Sequence, residues 1–180
     1  MRIYTAKGDK GSTDLLGERV SKDDPRIDLI GILDESTSSI GLGRAQATLA
    51  PWAELLIQAQ RDLYQIMAEL AFVDELRPDA YRLPAERVTW LEESISTVES
   101  TVSLPPQFVV PGDTVAGAAL DVARTVVRRA ERLAVHLDRA GRIPNPEILR
   151  YLNRLSSLLF IVARAEDLAT NEGPRLAKGR

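Results

Sequence analysis

Prolines constrain this chain more than any other feature. From Pro25 onward they stand where helices begin: Pro25, Pro51, Pro84 and Pro146 each head a stretch in which apolar side chains return at helical spacing. At the first helical position proline loses no needed hydrogen bond, and its fixed φ already suits the helix. The pattern predicts helices over residues 25–47, 51–73, 84–101, 114–139 and 146–169, which is an all-α chain. Asp24 and Asn145 supply side-chain acceptors for free backbone amides at their helix starts, whereas Ala50 before Pro51 does not. The turn Gly141-Arg142-Ile143-Pro144-Asn145 is short, so the fourth and fifth helices should pack antiparallel as neighbours.

Ahead of this array, residues 1–24 lack any sustained periodicity and read as a polar loop joined to one helical domain, residues 25–180. No repeat or Gly/Ser linker divides the chain. At 180 residues, 44% of them apolar, it is long enough to bury a sizeable core. No apolar run approaches the roughly 18 residues of a membrane span, and Met1-Arg2-Ile3-Tyr4-Thr5 lacks the apolar stretch of a secretory signal, so the expected location is cytoplasmic. The chain has no cysteine and the single histidine is His136, which removes disulfides, thiolate chemistry and multi-histidine metal sites. A formal net charge of −3 also argues against general nucleic-acid binding. Any anion site must be local.

Several segments carry candidate chemistry. In the fourth helix, Ala116, Ala119, Leu120, Ala123, Val126, Val127, Ala130, Leu133, Ala134 and Leu137 form an apolar face, while Arg124, Arg128 and Arg132 align at i, i+4 and i+8 on another side, with Asp121 and Glu131 beside them. That stripe suits either a solvated face or an anion site. In the first helix Asp34 shares a side with Ile27, Ile30, Ser38 and Gly41. A carboxylate buried there needs a partner from another helix, for which the arginine stripe is the obvious source; the other reading leaves Asp34 in solvent. In the fifth helix Asn153 and Phe160 lie on one mixed face, fit for a ligand or a second subunit. Thr5-Ala6-Lys7-Gly8-Asp9-Lys10-Gly11-Ser12-Thr13, with Lys22 further on, offers exposed amides, hydroxyls and ammonium groups to a polyphosphate without the spacing of a P-loop; a disordered terminus is the rival reading. Pro105-Pro106-Gln107-Phe108-Val109-Val110-Pro111-Gly112 puts an aromatic on a proline-stiffened loop that either lines a pocket or covers the bundle end.

Taken together and in this order, these segments resemble the ATP:cob(I)alamin adenosyltransferases of the propanediol-utilisation type. The resemblance rests on Ile3-Tyr4-Thr5 through Thr13, Arg19-Val20-Ser21-Lys22-Asp23-Asp24, Gly31-Ile32-Leu33-Asp34-Glu35, and Phe108-Val109-Val110-Pro111-Gly112. It continues in Ala123-Arg124-Thr125-Val126-Val127-Arg128-Arg129-Ala130-Glu131-Arg132, the most specific block, and in Leu152-Asn153-Arg154-Leu155-Ser156 with Leu158-Leu159-Phe160. It implies a homotrimer of five-helix bundles with active sites between subunits, and transfer of the adenosyl group of Mg-ATP to the cobalt of cob(I)alamin. Thr5, Gly8, Asp9, Gly11, Ser12, Thr13 and Lys22 would hold ATP with Glu131, Arg132 and Asn153. Asp34 and Arg128 would pair across the interface, Phe108 would lie beneath the corrin with Phe160 nearby, and magnesium would be bound mainly through the ATP phosphates. A corrinoid reductase and an enzyme that accepts adenosylcobalamin are the implied partners. The sequence departs from the family pattern at Ser36, Thr37, Asp113, Asp121, Ser157 and Asp167. A carrier or sensor that binds cobalamin or nucleotide without transfer is the alternative on the same fold, and a purely structural bundle a further one.

Overall fold

The structure, a computed structural model, describes residues 4–143, 145–169 and 174–178, so Ile3 and Pro144 lie outside the described residues. Five α-helices follow one another: α1 Pro25–Gln46, α2 Ala50–Ala71, α3 Glu86–Glu99, α4 Val115–Arg139 and α5 Glu147–Leu168. Their starts agree with the proline pattern to within two residues. The Asp24 carboxylate accepts a hydrogen bond from Arg26 N–H (2.8 Å), Asn145 Oδ1 from Glu147 N–H (3.1 Å), and Thr114 Oγ1 from Gly117 N–H (2.9 Å). α2, which has no cap of its own, is capped from α5. Buried Glu166 accepts from Thr48 N–H (2.9 Å), Thr48 Oγ1 (2.7 Å) and Leu49 N–H (3.1 Å). A carboxylate at a helix N-terminus satisfies free amides and opposes the helix dipole at once.

α4 lies between α1 and α5, α2 packs on α1, and α3 packs on α5. α1 and α4 run antiparallel, held at successive levels by Asp24–Arg142 (2.8 Å), Glu35–Arg129, and the close approach of Gly43 to Leu120. A Cβ at Gly43 would meet the Leu120 side chain at 2.6 Å, so glycine here sets how near the helices come. Leu29, Leu33, Leu63, Val127, Leu155 and Leu159 are inaccessible to solvent and form the centre of the core. At the α2–α3–α5 junction, buried Asp62 receives Arg87 Nε (3.0 Å) and Nη2 (2.7 Å), Gln58 Nε2 (3.0 Å) and the Tyr151 hydroxyl (2.8 Å). Burial, together with the Asp62 charge and hydrogen bond, pushes the Tyr151 phenol well above the usual tyrosine value.

The N-terminal segment corrects the polar-loop reading. Strands β1 Ser12–Asp14 and β2 Arg19–Ser21 form an antiparallel hairpin, with Thr13 opposite Val20. Its tip docks on the end of α2: Leu16 N–H donates to Ala71 O (2.9 Å) and Val73 N–H to Leu16 O (3.1 Å). Gly17 has φ +115°, and a Cβ there would lie 2.6 Å from Val73. Only glycine meets both conditions. Among the described residues, no helix is long and apolar enough to cross a membrane.

Candidate active site

The N-terminal loop is held as a shaped ribbon. Gly11 N–H donates to Gly8 O (3.1 Å), Lys22 N–H to Gly11 O (2.8 Å), and Arg19 Nη2 to Lys7 O (2.7 Å). Ala6 (φ +59°) and Gly11 (φ +78°) turn the chain through the left-handed region, leaving Thr5, Asp9 and Gly11 exposed and Gly8, Ser12 and Thr13 half-buried. Lys22 reaches over Gly8, its Nζ 3.1 Å from where a Cβ would stand. Among the described residues this ammonium has no carboxylate partner, so its charge is available to an anion.

The second group lies on the outer faces of α4 and α5. Arg128 and Arg132 are exposed and make no ion pair among the described residues, while Arg124 binds Asp121 (3.0 Å) and Arg129 binds Glu35. Glu131 accepts from Asn153 Nδ2 (2.8 Å), which joins these predicted ATP ligands across the two helices. Asn153 Oδ1 in turn accepts from Arg154, whose Nε meets Glu92 at 3.0 Å. No hydrogen bond or ion pair among the described residues links residues 5–22 to α4 or α5. Within one chain the described loop ligands and helix ligands therefore do not bond to one another. Asp34 also differs from its expected burial: it is exposed and makes no ion pair or side-chain hydrogen bond among the described residues.

The third group forms a cavity of about 550 Å³ between the proline-rich loop and the bundle, lined by Leu104, Phe108, Asp121, Arg124, Phe160 and Arg164 among others. Phe108 is 89% exposed. The loop therefore lines a pocket. Under the cavity lies a charge network: Arg164 (1% exposed) reaches Asp121 Oδ2 at 2.5 Å and Asp167 Oδ2 at 2.8 Å, and its guanidinium lies 5.3 Å from the Phe160 ring centre. Asp167 Oδ1 accepts from Thr114 N–H (3.0 Å) and Oγ1 (2.8 Å). The cavity is apolar at the Phe108 rim and charged at its floor. Arg124 of the α4 stripe borders it as well.

Comparison with known proteins identifies the family. The profile of the cobalamin adenosyltransferase family matches residues 3–166. The chain belongs to this family. It is 38% identical over 177 residues to the corrinoid adenosyltransferase of Bacillus subtilis strain 168, covering 96% of this chain and 90% of that protein. To the corrinoid adenosyltransferase PduO of Citrobacter freundii it is 38% identical over 169 residues, which are 93% of this chain but 50% of that protein, so it spans half of that relative. The fold superposes on a phenylalanine-to-alanine variant of the PduO-type ATP:corrinoid adenosyltransferase from Lactobacillus reuteri complexed with cobalamin and ATP. Here the TM-score is 0.91 at 32% identity, over 99% of this chain and 100% of that one. An arginine-to-lysine variant from the same organism complexed with ATP gives a TM-score of 0.89 at 32% identity, over 98% of this chain and 100% of that one.

As a cobalamin adenosyltransferase, this chain carries departures that have visible physical counterparts. Asp121 and Asp167 meet at one point, both carboxylates closing on Arg164. Asp113 accepts from Arg175 N–H (3.1 Å), and Ser36, buried in the α1 stripe, donates to Ile32 O (2.8 Å). The Thr37 carbonyl accepts from Gln60 Nε2 (3.0 Å). Ser157 is exposed and nothing in the structure explains it. Arg164 is the cavity residue that sequence reasoning missed. Its signal was Phe160 four residues before and Asp167 three after, which places all three along one strip of α5.

Proposed function

We propose that this chain transfers the 5′-deoxyadenosyl group of ATP to the cobalt of cob(I)alamin, giving adenosylcobalamin and inorganic triphosphate. The observation that carries this reading is that Arg124, the first member of the α4 arginine stripe, lines the Phe108–Phe160 cavity, while Arg128 and Arg132 further along the stripe make no ion pair among the described residues. Cobalt(I) supplies the electron pair of the new bond to C5′, the C5′–O bond breaks, and triphosphate leaves with the pair of that bond. Cobalt is formally oxidised from I to III. The nucleophile belongs to the substrate, so the protein needs no serine, cysteine or histidine for attack.

The chain's own tasks are orientation and charge. Thr5, Gly8, Asp9, Gly11, Ser12, Thr13 and Lys22 wrap the nucleotide as the ATP segment, residues 1–24, of a bundle spanning residues 25–180. Glu131, Arg132 and Asn153 complete the contact, and the cations at Lys22 and Arg132 oppose charge collecting on the leaving triphosphate. Among the described residues no group of three or more acidic or histidine side chains is arranged to hold a metal. Magnesium enters with the ATP phosphates. Phe108 fills the lower face of the corrin, excludes water there and leaves cobalt four-coordinate, which eases its reduction; Phe160 borders the same pocket.

Because the described loop and helix ligands do not bond to one another within one protomer, the reading assigns them to different copies in a homotrimer, with each site at an interface. Exposed Asp34 and Arg128 are then partners across that interface. A corrinoid reductase upstream and an adenosylcobalamin-dependent enzyme downstream are the partners this chemistry requires, in the cytoplasm. Phosphorus NMR of a turnover mixture tests the reaction: inorganic triphosphate formed in step with ATP loss supports it. ATP bound without release of triphosphate is the result expected of a carrier.

A further inference from the structure

Phe108 stands on a loop with little packing of its own, yet its work in the reading above depends on a fixed position. Ordering a loop costs conformational entropy at every residue, so contacts must hold it. The chain's C-terminal segment supplies them. Val110 N–H donates to Arg175 O (2.8 Å) and Ala177 N–H donates to Phe108 O (2.8 Å), bracketing an antiparallel bridge between Val109 and Leu176. In such an extended pair successive side chains alternate sides, so the pairing also fixes the side on which Phe108 projects.

Asp113 adds a third attachment. After Gly112 (φ +114°) reverses the chain, Asp113 Oδ2 accepts from Arg175 N–H (3.1 Å) and Oδ1 lies 3.4 Å from Arg175 Nε. The Asp113 side chain is 8% exposed, so its charge needs these donors, whereas that of Arg175 is 75% exposed. The side-chain ion pair is therefore weak, and the backbone bonds carry the positional information.

We infer that residues 174–178 form a brace that sets the position of Phe108, with Asp113 and Arg175 as positioning residues for adenosyl transfer. The reactive consequence rests on the proposed role of Phe108; the brace itself does not. Ala177→Pro removes the N–H given to Phe108 O while favouring the extended backbone at Leu176 that strand pairing already requires. Asp113→Ala removes the second anchor.

Each variant is expected to lose about five- to tenfold in kcat/KM for cob(I)alamin, the equilibrium shift that follows loss of one hydrogen bond. KM for ATP should stay within about twofold, since the predicted nucleotide ligands are elsewhere, and the four-coordinate absorbance of bound cob(II)alamin should weaken in proportion. Hydrogen exchange over residues 104–112 needs no substrate: it should quicken in Ala177→Pro while exchange in α1 to α5 is unchanged. Unchanged exchange in that loop overturns the brace. Equal losses for both substrates with a lowered melting temperature overturn the positioning role. A wild-type chain that exchanges as expected yet makes no adenosylcobalamin overturns the transferase reading alone.

Discussion

Replacing Arg164 by methionine tests the physical account of the cavity floor. The substitution keeps an unbranched side chain of similar reach but leaves Asp121 (4% exposed) and Asp167 (0% exposed) without the cation now 2.5 and 2.8 Å away. Removing one partner of a buried ion pair costs about 3–5 kcal/mol, mainly because the remaining charge is stranded. Here each carboxylate keeps some support, Asp121 from Arg124 and Asp167 from Thr114. The loss is therefore placed near the lower end, about 3–4 kcal/mol, from a total stability of about 5–15 kcal/mol. For a chain of this length that is a fall in melting temperature of about 6–16 °C. Urea unfolding followed by circular dichroism, at one protein concentration so that self-association cannot move the midpoint between samples, measures it. Adding Asp121→Asn and Asp167→Asn removes the stranded charges and should restore more than half of the loss. A loss below about 1 kcal/mol, the scale of an exposed pair, or a triple variant no more stable than Arg164→Met, would refute the reasoning.

Other substitutions probe separate parts of the structure. Arg87→Ala strips the bidentate cation from buried Asp62 and should destabilise by about 3 kcal/mol in the same assay, with Tyr151 and Gln58 limiting the damage; a loss below about 1 kcal/mol contradicts this. Gly117→Ala drives a methyl into the Asp167 carboxylate and to 2.9 Å from Thr114 Oγ1, costing about 1–3 kcal/mol, and a neutral effect would mean that α4 and α5 separate freely there. Partial burial pushes the Asp24 carboxyl up, but hydrogen bonds from Arg26 N–H and Arg142, with their charges, outweigh it and hold the group below its ordinary value. Its contribution is then present above the unfolded value of about 3.9 and lost as pH falls through the folded one. The stability gap between wild type and Asp24→Asn should accordingly shrink below about pH 4, and a pH-independent gap would be inconsistent. Arg128→Ala should weaken both assembly and turnover by stranding Asp34; unchanged oligomeric mass by light scattering with unchanged turnover would sink that pairing.

The helices were legible because proline and capping chemistry act locally. What depended on distant residues was not. The cap of α2 comes from Glu166, a residue far along the chain that no window around Pro51 contains. The strands of the hairpin have three residues each, too few for an alternating pattern to stand out, and their docking depends on the Ala71–Val73 backbone. In α1 the stripe Leu29, Leu33, Ser36, Ile40 and Gly43 is buried, and two of its members are small or polar. Ile27 and Ile30, only half-buried, outweighed them in the sequence pattern, which turned the inferred inner face toward Asp34. Arg164 was missed for a related reason: arginine is rarely buried, and the local spacing from Phe160 and to Asp167 did not show that α4 sets Asp121 opposite it. By contrast, the predicted residues Glu131 and Asn153 meet, and Phe108 and Phe160 share a cavity, because each pair depends on the neighbouring α4–α5 or loop–bundle packing that the short turn and the proline-rich segment already implied.

The central claim is adenosyl transfer, and an anaerobic assay addresses it most directly. Chemically reduced cobalamin is mixed with Mg-ATP and the full chain, corrin absorbance is followed, and the product is identified by chromatography. The account predicts adenosylcobalamin whose formation requires both protein and ATP, and which falls sharply in Phe108→Ala and Arg132→Ala. Cob(I)alamin that persists unchanged beside ATP and folded protein would contradict it.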